Sequence, residues 1–247
     1  MSEGLIILGA TSKIAQEVGR VAARHGREVL LVARSMERAE AIAGDLRARG
    51  ASKVTVIAAD LADISTHPSL WEQIEADMPD AGEVLLAYGS LGDQERADHD
   101  IDYTLRELNT NFTSAVSLLS HAAEQFEGRK KGVLAVITSV AGDRARRSNY
   151  VYGTAKGALT LFAQGLRARL FTSGVRVLTI KPGPVDTPMT AHMKKGLLMA
   201  TPQAVAAAIY REMEDGTADV IYVPGYWWLI MAIIKAIPEG VAKKLKF

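Results

Sequence analysis

The chain has no cysteine among its 247 residues. That excludes a disulfide scaffold, a thiolate nucleophile and any zinc or iron–sulfur centre held by cysteines. Neither sign of charge is in excess, since 29 Lys and Arg stand against 28 Asp and Glu. Such a balance leaves no electrostatic footprint for nucleic acid. No stretch reaches the roughly 20 apolar residues that span a bilayer. The start, Met1-Ser2-Glu3-Gly4, lacks a basic region and runs into a strand pattern, which predicts a cytoplasmic protein without a signal peptide. Hydrophobic residues make up 48%, enough to exclude disorder. No linker or repeat divides the chain. The expected organisation is one domain over residues 1–225 and a tail over 226–247.

What is present is an alternation of apolar runs and helical patterns. The runs are Leu5-Ile6-Ile7-Leu8, Glu28 to Ala33, Val54 to Ala58, Glu83 to Ala87, Val133 to Ile137, Arg176 to Ile180 and Asp219 to Val223. Helical patterns lie between them: Ile14 to Arg24, Met36 to Arg49, Leu70 to Asp77, Thr104 to Glu127, Tyr152 to Phe171, and Pro202 to Met213 capped by Thr201. The runs are continuously apolar, not alternating, which is the pattern of a parallel sheet covered on both faces. The fold class is therefore α/β: a single-domain, Rossmann-like, doubly wound parallel sheet with helices on both faces.

In such sheets ligands bind at the carboxyl ends of the strands. The first turn, Gly9-Ala10-Thr11-Ser12-Lys13-Ile14, offers backbone to a pyrophosphate at a helix N-terminus, or is an ordinary strand-to-helix turn. Arg34-Ser35 follows the second strand, with Arg38 a turn later, where NAD-binding units carry an acidic residue. An arginine fork accepts a 2′-phosphate, so NADP(H) is favoured and NAD remains open. Asp60-Leu61 could meet an adenine, and Ala87-Tyr88-Gly89 could pass under the adenosine half.

The chemical end is more specific. Ser139 follows the fifth strand, Tyr152 lies 13 positions later, and Lys156 is one turn beyond on the same helix face. A ketone accepting hydride needs a proton on oxygen. Tyrosine, with an ordinary pKa of about 10, becomes a usable acid if a neighbouring ammonium lowers it. Ser139 would orient the carbonyl, and Asn111 could hold a relay water beside Lys156. Pro182-Gly183-Pro184-Val185-Asp186-Thr187 makes a turn in which Val185 and Thr187 could contact the nicotinamide, and Thr190 to Met199 could form a lid. No metal site is expected.

On Asn111, Ser139, Tyr152-Gly153-Thr154-Ala155-Lys156 and the Pro182–Thr187 segment, residues 4–225 resemble the short-chain dehydrogenase/reductase family. The resemblance implies an NAD(P)(H)-dependent oxidoreductase acting on CH–OH or C=O groups, and a homodimer or homotetramer built on the helices starting near Thr104 and Tyr152. One departure stands out: Lys13 and Ala15 occupy positions where the family's turn usually has glycine. A narrower resemblance rests on Ala87 to Gln94, Ser139 to Asn149 and Phe162 to Leu166. These look like the decaprenylphosphoryl-2-keto-pentofuranose 2-reductases of cell-wall precursor synthesis. That likeness implies a keto-sugar on a polyprenyl phosphate as substrate, and a partner oxidase that makes it.

Two further features bear on such a substrate. Arg144, Arg146 and Arg147 could grip a phosphate, or form a solvated loop or a subunit interface. The tail places Trp227, Trp228, Met231 and Ile234 at helical spacing, with Lys235, Lys243, Lys244 and Lys246 nearby. It could lie in a membrane interface at the inner face, or pack on the domain or a second subunit. The alternatives to the keto-sugar reductase are an oxidoreductase of another lipophilic ketone or alcohol, acyl or steroid, and a non-catalytic membrane-associated scaffold.

Overall fold

The structure, a computed structural model, describes residues 4–191 and 196–245. Residues 1–3, the middle of the expected lid (192–195), and Lys246 with Phe247 lie outside the described residues. The elements follow the alternation read from the sequence: β1 (Gly4–Leu8), α1 (Lys13–Arg24), β2 (Glu28–Ala33), α2 (Met36–Ala48), β3 (Lys53–Ala58), α3 (His67–Asp77) and β4 (Ala81–Leu86). Then come α4 (Gln94–Ala97), α5 (Ile101–Leu108), α6 (Ser114–Arg129), β5 (Gly132–Ile137), α7 (Tyr150–Leu170), β6 (Val175–Pro182), α8 (Pro202–Asp215), β7 (Val220–Val223), α9 (Trp227–Ala236) and α10 (Glu239–Ala242).

The seven strands form one parallel sheet in the order β3-β2-β1-β4-β5-β6-β7. The apolar runs explain how it is covered. Leu5 and Ile7 of β1 enter the core under α1, α2 and α8, whereas Ile6 and Leu8 enter the core under α3, α6 and α7. Val29 and Leu31 of β2 divide from Leu30 and Val32 in the same way. A strand buried on both faces is apolar at most positions, and each large apolar side chain contributes about 1.5–3 kcal/mol by leaving water. After β3 the chain crosses back to β4 on the other side of β1. This reversal opens a crevice at the carboxyl ends of β1 and β4.

The expected single helix from Thr104 to Glu127 is interrupted. Between α5 and α6 lies a π-turn, Asn109–Thr113. Asn111 Nδ2 donates to the Glu107 carbonyl at 3.0 Å, the oxygen that its own backbone N–H would bond in a regular α-helix. Inserting one residue turns Asn111 into the crevice region, and hydrophobic periodicity carries no mark of it. At the opposite ends of the strands, Arg27, only 3% exposed, pairs with Glu83 at 2.7 Å and with Glu214.

Candidate active site

A cleft of about 780 Å³ opens at the carboxyl ends of the strands. Gly9, Thr11, Ser12, Lys13 and Ile14 line it after β1, and Arg34 after β2. Asp60 and Leu61 line it after β3, and Ala87, Tyr88 and Gly89 after β4. Ser139, Tyr152 and Lys156 form the chemical wall, closed by Pro182, Gly183, Val185 and Thr187.

Each part has a local cause. Gly9 sits at φ 94°, and a Cβ there would lie 2.5 Å from the Cβ of Tyr88, so only glycine fits. Gln16 Nε2 donates to the Thr11 carbonyl at 3.0 Å and braces the same turn. Ala15 is fully buried, while Lys13 is exposed at the cleft. The departures from glycine thus leave a turn that still brings Ser12 and its helix N-terminus to the cleft. The Ser12 side chain makes no cap bond to α1.

The N-terminus of α7 is fixed from outside. Gln94 Oε1 of α4 accepts from Val151 N at 3.1 Å, and Tyr150 OH donates to Asp98 at 2.9 Å. Tyr152 and Lys156 follow on one face. Lys156, 3% exposed, donates to the Ile137 carbonyl at 3.3 Å, and its Nζ lies 5.9 Å from the Tyr152 ring centre. Burial pulls Lys156 down to about 8. Burial also raises Tyr152 above the ordinary phenol, opposed by a hydrogen bond with Ser139. The sequence predicts the reverse for Tyr152. Desolvation dominates because the phenol is enclosed, and the hydrogen bond with Ser139 offsets only part of it. Ser139 Oγ accepts from Ala141 N at 3.1 Å, which anchors that oxygen and leaves its proton to be donated.

Asn111 stands behind the cleft wall. A Cβ on Gly89, at φ 150°, would lie 2.6 Å from Asn111 Oδ1 and 3.2 Å from Lys156 Nζ, so glycine here lets the amide and the amine converge. Asn111 Oδ1 accepts from Ser90 N at 3.0 Å. Ser35 is turned to a structural use: its Oγ caps α2 by accepting from Arg38 N, and it does not line the cleft.

The three arginines diverge. Asp143 anchors their loop through Lys181 at 2.5 Å and Tyr222 at 2.6 Å. Arg144 then points outward to Glu239 at 2.7 Å, Arg147 is exposed, and Arg146 alone of the three lines the cleft. Burial holds the Arg146 guanidinium below its ordinary range. Sequence reading missed Glu107, which also lines the cleft and bonds Ser90 Oγ at 2.5 Å. Its spacing of four from Asn111 was the available signal. It missed Thr138, Asn149 and Met189 as well.

The family model of short-chain dehydrogenases matches residues 4–197. This chain belongs to that family. Among its relatives, an uncharacterized oxidoreductase of Mycobacterium tuberculosis is 36% identical over 98% of this chain and 96% of its own. Another from Streptomyces coelicolor is 38% identical over 98% of this chain and 95% of its own. Among solved structures, a short-chain dehydrogenase/reductase family protein superposes with a TM-score of 0.79 at 26% identity, covering 90% of this chain and 95% of that one. An actinorhodin polyketide ketoreductase with NADPH has the same fold, with a TM-score of 0.81 at 20% identity over 91% and 97% of the two chains. The short-chain dehydrogenase fold therefore frames the Ser139–Tyr152–Lys156 wall described above.

The donor set suits a nicotinamide dinucleotide: an exposed arginine at the end of β2, a backbone turn at a helix N-terminus, and an amine beside a phenol. Arg34, the Gly9–Ile14 turn, Asp60 and Lys156 would hold it.

Proposed function

We propose that this protein is an NADP(H)-dependent reductase of a lipophilic ketone. The observation that carries the reading is the enclosed wall of Ser139, Tyr152 and Lys156 facing a cleft whose far end carries Arg34 instead of an acidic residue. A protein of the same fold from Sphingobium yanoikuyae was solved in complex with NADPH, which agrees with that choice. When bound, the dinucleotide would supply hydride to the carbonyl carbon. Ser139 donates a hydrogen bond to the carbonyl oxygen and fixes its position. Tyr152 gives its proton to that oxygen as the C–O double bond opens, and a secondary alcohol results. Lys156 would hold the nicotinamide ribose and return a proton to Tyr152. Asn111 keeps a second Oδ1 lone pair for a water in that return path.

The test is cofactor oxidation with a lipophilic ketone. Tyr152→Phe should lower turnover by about 10²–10⁴ while leaving NADPH binding intact. Arg34→Glu should reverse the preference from NADPH to NADH. An unchanged rate in the first variant sinks the chemistry, and an unchanged preference in the second sinks the cofactor assignment.

A narrower reading is favoured by Arg146 at the cleft wall: the ketone is the 2-keto group of a pentofuranose on a polyprenyl phosphate. The phosphate would be met by Arg146 alone, not by three arginines. Arg146→Met should raise KM for the phosphorylated ketone and leave that of its dephosphorylated analogue. Equal effects on both dismiss the phosphate. A partner oxidase would supply that keto-sugar. We also propose a homo-oligomer through α5 and α7, where Ile101, Leu105 and Leu161 stand exposed.

A further inference from the structure

The last described segment has two unlike faces. On the inner side of α9, Trp227 and Met231 are buried, with Ile230 and Ile234 half-buried against Val140 and Tyr222. The indole of Trp227 lies directly on Gly183, which leaves no room for a Cβ there. The helix is thus seated on the domain beside the cleft. On its outer side Trp228 is 63% exposed, Leu229 57% and Ile233 61%. A helix so firmly docked has no folding reason to present three large apolar groups to water.

The outer face continues onto the cleft rim. Tyr226, itself exposed, donates its hydroxyl to the Leu198 carbonyl at 3.1 Å. Leu197 and Leu198 are exposed, and so is Met189, which lines the cleft. Apolar groups from α9 and from the loop beside the cleft therefore stand on adjoining surface. The exposed charge of the α9–α10 segment is mainly basic. Lys235, Lys243 and Lys244 are exposed, and the segment's described acid, Glu239, is engaged with Arg144.

We propose that this face docks on an anionic lipid surface, with Trp228, Leu229 and Ile233 in the headgroup–acyl boundary and the lysines over the headgroups. The charge decides between occupants. A second copy meeting this face about a two-fold axis would bring two mainly basic patches together, whereas an anionic bilayer complements them. Tyrosine and tryptophan beside aliphatic groups suit interfacial depth. Among the described residues no helix is long and apolar enough to cross a membrane, so contact is with one leaflet. The use of this contact, entry of a membrane-dissolved ketone past Met189, rests on the proposed reductase function. The docking itself does not.

The test is flotation of the full chain with vesicles of phosphatidylcholine containing 30% phosphatidylglycerol, beside vesicles of phosphatidylcholine alone, without cofactor or substrate. Binding should favour the anionic vesicles at least tenfold and weaken with salt. Tryptophan emission should shift to the blue on binding, and Trp228→Phe should remove most of that shift. L229E/I233E should abolish flotation with its melting temperature unchanged. Three results would overturn the proposal: no flotation of the wild type, equal flotation of the double variant, or a wild-type dimer in solution that the double variant dissolves. Because flotation needs no turnover, failed ketone reduction with intact flotation would condemn the functional reading and spare this one.

Discussion

Lys156 shows how a residue chosen for chemistry costs stability. Its amine is enclosed, with the Ile137 carbonyl as its hydrogen-bond acceptor, and its pKa is held at about 8 against an ordinary 10.5. In the unfolded chain it returns to the ordinary value, so between pH 8 and 10.5 the unfolded state binds more protons. Folding stability from this group therefore rises with pH across that window, and the penalty is full below it. The gap corresponds to about 3 kcal/mol. Lys156→Met should raise stability by up to that amount at pH 7 and by little at pH 10.5, while turnover is lost. Urea melts at the two pH values check it, and equal gains would refute the assignment. In the wild type, ketone reduction should hold below pH 8 and decline above it as the amine loses its proton. The pairing of Tyr152 with Lys156 was legible in the spacing of four. The direction of the Tyr152 shift was not, because burial is absent from a spacing rule.

At the scale of elements, the short pieces position the long ones. The four-residue α4 supplies Gln94 to the first turn of α7, and the π-turn between α5 and α6 sets Asn111 behind Gly89. Neither can be read from periodicity. One is a contact across 57 positions, and the other is a one-residue irregularity in an otherwise helical pattern. The tail read as a choice between packing inward and facing a membrane, and the helix does the first with one face while leaving the other exposed. Trp227 is its anchor. Trp227→Ala should cost about 3–5 kcal/mol, since it removes a buried aromatic and opens the space above Gly183. Denaturant unfolding reads the loss. A drop under 1 kcal/mol would mean that α9 is not seated as described.

At the scale of the whole molecule, the sheet separates stability from chemistry. The cleft occupies the carboxyl ends of the strands, and the Arg27–Glu83–Glu214 cluster occupies the other end. Glu83 is raised by burial, and Arg27 opposes the rise. Arg27→Ala leaves a buried carboxylate without that partner and should destabilise by about 3–5 kcal/mol. The loss should be larger at pH 8 than at pH 5, because protonation relieves an unpaired carboxyl. Turnover per folded molecule should not change. Thermal melts at both pH values, beside rates corrected for folded fraction, check all three points.

The apolar runs alone determined the parallel, doubly wound sheet, since a strand covered on both faces is apolar at most positions and keeps a polar side chain only where a partner meets it, as Arg27 meets Glu83. That Ser139, Tyr152 and Lys156 would share one cleft wall was also legible, because they lie on one strand end and one helix face. The tertiary structure decided what depends on direction and enclosure. It sent Arg144 to Glu239 and Arg146 to the cleft, gave Ser35 to a helix cap, and brought Glu107 to the wall. A sequence orders residues along one line. Which way a loop arginine turns, and how much water remains around an amine, are set by the elements that pack beside it from elsewhere in the chain.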